Sequence, residues 1–256
     1  MVEVPDPQIG AASVRNAAFQ STFTRGRIIS ESVGSVQARM IIDVGAYTGE
    51  TAEWFGELFP NATVLAIEPF PESFALLEAK ATTQIKPFCF AAADFDGTVQ
   101  LHTNAIAHTN GIYSINPNSS DSIALALANN EEGDGNQGSE LLSGQLSVKA
   151  QTLDSFLLEQ GISGIVDLLK IDVQGAEIDV LKGSRSVLVR TKAILIEISL
   201  FDYYVHSSSI GAVEALLSPH GFSLWSVTDI SRNPMNGRTD WVELFYVNTH
   251  VLPNAD

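Results

Sequence analysis

Asp43-Val44-Gly45-Ala46-Tyr47-Thr48-Gly49 sets a carboxylate just ahead of two glycines. Glycine lets the chain turn tightly and lets a ligand come close to the backbone. The pattern is not Gly-x-Gly-x-x-Gly, where exposed amides at a helix N-terminus take a pyrophosphate. An acid at this place repels phosphate and suits a cation or an amino group; the plain alternative is an ordinary strand-to-helix turn. Glu68 follows Gly49 at about the 20-residue spacing at which nucleoside-binding α/β folds set an acid on the ribose hydroxyls. Asp94 stands where it accepts from an adenine amino group, although Asp96-Gly97 beside it also reads as a simple turn.

A second group of charges lies further on, in Leu169-Lys170-Ile171-Asp172-Val173-Gln174-Gly175-Ala176-Glu177. Charges in an apolar run are costly unless paired or at the end of a sheet. Asp172 falls where open α/β sheets bind ligands, outside the carboxyl ends of the strands; the other reading is a structural Lys–acid pair. Glu197 repeats the theme inside Ile194-Leu195-Ile196-Glu197-Ile198-Ser199, either lining a site or binding a backbone amide.

These acids suit a nucleoside that carries positive charge. S-adenosylmethionine carries two such groups, a sulfonium and an α-ammonium, and its methyl is already electrophilic. The protein's task is then to hold an acceptor in line and, for an alcohol, to take its proton. Candidate bases are Asp172, His206 and His108. The candidate cofactor set is Asp43, Gly45, Ala46, Tyr47, Thr48, Gly49, Glu68, Pro69, Asp94 and Asp172. Asp172 and Glu197 are carboxylates of the kind magnesium uses, but no His–acid ligand spacing accompanies them, and no metal is assigned.

The elements that must position these residues alternate. Met40 to Val44, Thr63 to Ile67 and Lys86 to Ala93 read as buried strands, separated by helices over Thr51 to Phe59 and Glu72 to Ala81. Short strands are expected over Val99 to His102 and Leu146 to Ala150, then a helix from Leu153 to Gln160. Val166 to Val173 and Ala193 to Ser199 are further core strands, with helices from Ala176 to Lys182 and Ile210 to His220. The result is an α/β fold with a mostly parallel central sheet flanked by helices. Phe222 to Val227 and Trp241 to Asn248 close it as an antiparallel hairpin at the sheet edge. Residues 1–39 form an N-terminal helical extension and 40–256 the domain. Residues 108–144, rich in Asn, Ser and Gly, are an insertion too long for a simple connection, either a lid or an unstructured surface segment.

The 256 residues fit one α/β domain, and 45% hydrophobic content is enough for a core. A formal net charge of −16 argues against nucleic acid and anionic membranes as partners. No apolar run reaches membrane-spanning length, and the N-terminal segment lacks a signal pattern, so a cytoplasmic protein is expected. The single cysteine, Cys89, excludes an internal disulfide and a Cys-cluster metal site. Between Phe88 and Phe90 it reads as a buried, inert thiol.

The chain resembles the FkbM family of S-adenosylmethionine-dependent methyltransferases. The resemblance rests on Ile42-Asp43-Val44-Gly45-Ala46, Ile67-Glu68-Pro69, Thr152-Leu153-Asp154, and Lys170 to Glu177 with Leu181-Lys182-Gly183. It covers roughly Met40 to Asn248, and the stretch from Lys170 to Gly183 is its most specific part. The residue after the first Gly-Ala is often Asn in the family and is Tyr47 here. The resemblance implies a class I methyltransferase, Rossmann-like fold and O-methylation of a hydroxyl on a sugar, glycan or other small-molecule natural product. Competing readings are a nicotinamide-dependent oxidoreductase, which the missing third glycine and Asp43 oppose, and a non-catalytic nucleoside-binding module, which the full set of site acids opposes.

Overall fold

The computed structural model describes residues 22–104, 109–119, 142–201, 203–233 and 236–251. A seven-stranded sheet has the order β3-β2-β1-β7-β8-β10-β9. Its strands are β1 (Met40–Val44), β2 (Thr63–Ile67), β3 (Ile85–Phe88), β7 (Val166–Ile171), β8 (Thr191–Ser199), β9 (Phe222–Arg232) and β10 (Thr239–Asn248). The five from β3 to β8 are parallel, and β10 and β9 run antiparallel. A smaller sheet orders β4 (Ala91–Ala92), β6 (Leu142–Gln151) and β5 (Gly97–Asn104).

The central strands read as unbroken apolar runs because both faces of the sheet are covered. Ile41, Leu168, Leu195 and Phe245 point to one face and pack with Phe55 and Phe59. Ile42, Leu169, Ile194 and Leu244 point to the other and pack with Phe156 and Leu217. The helices follow the strands in chain order: α1 (Arg25–Val33), α2 (Glu50–Leu58), α3 (Pro71–Ala79), α4 (Leu153–Glu159), α5 (Glu177–Lys182), α6 (Arg185–Leu188) and α7 (Ile210–Leu217). Ile29 and Val33 of α1 belong to the same core cluster as Phe55, so this part of the N-terminal segment packs onto the domain. Among the described residues no helix is long and apolar enough to cross a membrane.

Three sequence expectations need correction. The run Lys86 to Ala93 is not one strand. Its first half pairs with β2, and Ala91–Ala92 pairs with β6 in the smaller sheet. The apolar pattern stays continuous because Phe88 and Phe90 both pack on Phe156, at 4.7 and 4.9 Å between ring centroids. Cys89, at the crossing between sheets, is exposed rather than buried; partial burial and the Glu68 and Glu78 charges push its thiol pKa up, which keeps it unreactive. Helix α6 was not expected. Asp154 caps it, its carboxylate accepting the Ser186 and Val187 amides at 3.0 and 3.1 Å.

That last contact gives Thr152-Leu153-Asp154 a structural role. Thr152 caps α4 through the Ser155 amide, and Asp154 ties α4 to α6. Gly183 is likewise a packing residue, since a Cβ there would stand 2.0 Å from the Ala93 carbonyl oxygen.

Candidate active site

A cavity of about 840 Å³ opens over the carboxyl ends of β1, β2, β7 and β8, within the roughly 300–1,000 Å³ of small-molecule sites. The glycine loop forms one wall. Gly45 has φ +82, and a Cβ there would lie 1.8 Å from the Asp172 carbonyl oxygen. The glycine is therefore required by the approach of two strand ends, not by ligand contact alone. Tyr47 follows with φ +49, a left-handed conformation that Asn tolerates better than an aromatic residue.

Glu68 ends β2 and fixes this wall. One carboxylate oxygen accepts the Tyr47 amide and the other the Phe70 amide, each at 2.9 Å. Burial pushes its pKa up to about 7, against the pull of those two amides. Each oxygen keeps a lone pair for a ligand hydroxyl. Beyond Glu68 the wall turns apolar, with Ile67, Phe90, Ala91 and Ala92.

The floor carries a row of charges on one face of the sheet. Asp43 of β1 and Lys170 of β7 are register partners. Asp43 is fully buried, and among the described residues neither of its oxygens has a hydrogen-bond partner. Lys170 Nζ stands 3.8 Å from Asp43 and 3.0 Å from Asp172. Burial pushes Asp43 up to about 6 although Lys170 opposes it. Burial also works against the Lys170 charge, but the Asp172 and Asp43 carboxylates outweigh it and hold Lys170 at about 12. Asp172 accepts on both oxygens: one takes Lys170 and the other the Gln174 side-chain amide at 2.8 Å. Gln174 in turn accepts from the Tyr204 hydroxyl.

Glu197, two residues from the end of β8, continues the row. Burial, then the Asp172 charge, pushes its pKa up to about 8. Its register partner across the sheet is Glu243 of β10. Glu243 is matched by Arg25 of α1, which donates to both carboxylate oxygens at 2.6 and 2.5 Å and stacks over Trp54.

The far wall comes from residues 109–119, the first part of the insertion expected as either a lid or a surface segment, and from the β9–β10 hairpin, which sequence reading did not place at the site. Residues 109–119 strap the cavity: Thr109 to Ile112 line it, Ile115 bridges Tyr204, and the Tyr113 hydroxyl donates to Asp179 at 2.5 Å. The β9–β10 hairpin adds Ser231, Asn233, Asp240 and Trp241, next to Ser199, Phe201 and Tyr203. The antiparallel hairpin was itself the signal, because the start of β10 must lie beside the carboxyl end of β8.

Of the candidate residues, Gly45, Ala46, Tyr47, Glu68, Pro69 and Asp172 line the cavity together with Lys170 and Glu197. Asp43 lies beneath it. Thr48 is not part of the lining, its hydroxyl donating to the Glu50 carboxylate at 2.7 Å. Gly49 caps α2 with φ +96, where a Cβ would stand 2.9 Å from Leu77. Asp94 is exposed and outside the lining. His206 is exposed as well, its ring edge-on to Tyr113 at 5.0 Å. The chain is pinned at Tyr204, and His206 falls beyond the cavity rim. His108 and residues 120–141 of the insertion lie outside the described residues.

Residues 43–224 match the family model described as the Methyltransferase FkbM domain. The chain is 29% identical over 184 residues to the 2-O-methyltransferase NoeI of Sinorhizobium fredii, covering 70% of each protein. It is 30% identical over 202 residues to the AMB antimetabolite synthetase AmbE of Pseudomonas aeruginosa, covering 72% of this chain and 10% of the synthetase. Among solved structures, the methyltransferase FkbM of Methylobacillus flagellatus KT shares the fold with a TM-score of 0.50 at 13% identity, over 88% of this chain and 48% of that one.

Proposed function

The chain belongs to the FkbM family of S-adenosylmethionine-dependent methyltransferases, and on that premise we propose that it methylates a hydroxyl oxygen of a sugar, a glycan or another small hydroxylated molecule. The observation that carries this reading is the division of the cavity on either side of Asp172. One half has the glycine loop, Glu68 and an apolar end. The other has the aromatic residues Tyr203 and Trp241 among Ser199, Asn233 and Asp240. Aromatic faces beside hydrogen-bonding groups suit a ring that is apolar on its faces and hydroxylated at its rim. Similarity to a protein named as a 2-O-methyltransferase supports oxygen as the acceptor atom.

The residues present fit the cofactor. S-adenosylmethionine, when bound, supplies an electrophilic methyl on a sulfonium. Glu68 would accept the ribose hydroxyls through its remaining lone pairs, and Phe90, Ala91 and Ala92 would flank the adenine. The backbone of Gly45 to Tyr47 would hold the amino-acid end, with Asp172 offering negative charge to the ammonium and sulfonium. Lys170 holds Asp172 in place through their ion pair. Among the described residues Lys170 is the cation of the lining, and it is already tied to acids, which favours an uncharged acceptor over a phosphate backbone.

The test is a panel of methyl glycosides, polyols, amines and carboxylic acids incubated with S-(trideuteromethyl)-adenosylmethionine and read by mass spectrometry. The reading expects label on hydroxylated compounds, in a bond that survives mild base as an ether does. Label confined to amines or to base-labile esters would overturn it.

A further inference from the structure

Resting on that reading, we propose that Glu197 faces the point of methyl transfer and takes the proton that leaves the acceptor hydroxyl. In the reaction the acceptor oxygen forms its bond to the methyl carbon while the carbon–sulfur bond breaks and leaves its electron pair on sulfur. The hydroxyl proton passes to a Glu197 carboxylate oxygen and from there to solvent. The products are the methyl ether and S-adenosylhomocysteine.

Three observations assign this to Glu197 rather than to the other acids. The first is position. Along the sheet order β2-β1-β7-β8, Glu68 and the glycine loop occupy the first two strands, Asp172 ends the third, and Glu197 stands on the fourth, on the side of Ser199, Tyr203 and Trp241. The second is availability. Asp172 already accepts from Lys170 and Gln174, Glu68 from two backbone amides, Asp240 from Arg238 and Glu50 from Thr48. Glu197 lines the cavity, yet among the described residues no side chain or loop amide hydrogen-bonds to its carboxylate. The third is charge. Glu243, opposite Glu197, is neutralised by Arg25, and the nearest cation, Lys170, is held by Asp172. Among the described acids that line the cavity, Glu197 is thus the one whose carboxylate has no hydrogen bond to the protein, and its pKa of about 8 suits a base near neutral pH. His206, which lies outside the cavity, is left without this role.

The test needs no acceptor. Sinefungin is the analogue of S-adenosylmethionine in which an amine-bearing carbon replaces the methylsulfonium, so its ammonium stands where the methyl would be. Kd is measured calorimetrically for sinefungin and for S-adenosylhomocysteine in the wild type, Glu197→Gln and Asp172→Asn. The proposal expects the wild type to prefer sinefungin, and Glu197→Gln to lose about 10- to 100-fold of that preference while S-adenosylhomocysteine binds within about two-fold of wild type. An unchanged preference in Glu197→Gln, or one lost only in Asp172→Asn, overturns the proposal and leaves the methyltransferase reading intact. A wild type that fails to bind S-adenosylhomocysteine removes both.

Discussion

Gly45 lies against the backbone of Asp172 so closely that a Cβ on it would stand 1.8 Å from the Asp172 carbonyl oxygen. Two parts of the site, the glycine loop after β1 and the acid after β7, are thereby locked together by backbone packing. Gly45→Ala should force them apart and strain a residue at φ +82, a cost of at least about 2 kcal/mol. A thermal melt should show the loss of stability, and calorimetry the loss of S-adenosylhomocysteine affinity. A variant that melts and binds as wild type would show that the two strand ends are free to separate.

Glu68 carries a double load, holding the loop through the Tyr47 amide and offering its remaining lone pairs to a ligand. Glu68→Ala should raise the Kd for S-adenosylhomocysteine by the equivalent of about 1–3 kcal/mol. Adenosine binding should fall in parallel, because the lost contacts are to ribose. An unchanged Kd for both would remove Glu68 from the cofactor site.

Tyr47 holds a left-handed backbone at φ +49, which costs an aromatic residue more than Asn. Tyr47→Asn should stabilise the chain by about 0.5–1 kcal/mol, a rise in Tm of roughly 1–4 °C. A fall in Tm would mean that the ring, which is 37% exposed, contributes packing that outweighs the backbone strain.

The half of the site proposed to hold the cofactor was legible in the sequence because its logic is local. A strand buried on both faces reads as an apolar run, and an acid or glycine directly after it must lie at the sheet's carboxyl edge. That places Gly45, Glu68 and Asp172 without any knowledge of tertiary contacts. The same logic misplaced Asp94 and His206, which also follow strands. Asp94 comes after the chain has crossed into the smaller sheet, and His206 after Tyr204 is pinned to Gln174 and Ile115. The half proposed for the acceptor was hidden because Asp240 and Trp241 enter it at the start of a strand, not the end. Glu197 was seen as either a site residue or an amide partner. Its lack of a side-chain or loop partner is a tertiary fact, set by Arg25 claiming Glu243 more than 200 positions away.

Asp43, Glu68 and Glu197 all bind their protons more tightly in the folded chain than their ordinary values of 3.8 and 4.5 imply, at about 6, 7 and 8. For groups raised in this way the stabilising contribution is complete below the ordinary value and is lost as pH rises through the folded value. The protein without cofactor should therefore lose Tm between about pH 5 and pH 8, while Lys170, held at about 12, stays charged throughout. Glu197→Gln should flatten the upper part of that decline, where Lys170, Asp172, Glu177 and Glu243 surround the titrating group. S-adenosylmethionine, with its positive sulfonium, should restore more Tm at the alkaline end than neutral-sulfur S-adenosylhomocysteine does. A Tm that rises across this window in all forms would contradict the burial of these three acids.

The most direct measurement is a crystal structure of the chain with S-adenosylhomocysteine. The account predicts ribose hydroxyls on the Glu68 carboxylate and adenine against Phe90, Ala91 and Ala92. The amino-acid end should lie on the Gly45 to Tyr47 backbone, and the sulfur should face the space between Asp172 and Glu197. A ligand bound outside this cavity, or one whose sulfur faces away from Glu197 with the ribose free of Glu68, would contradict it.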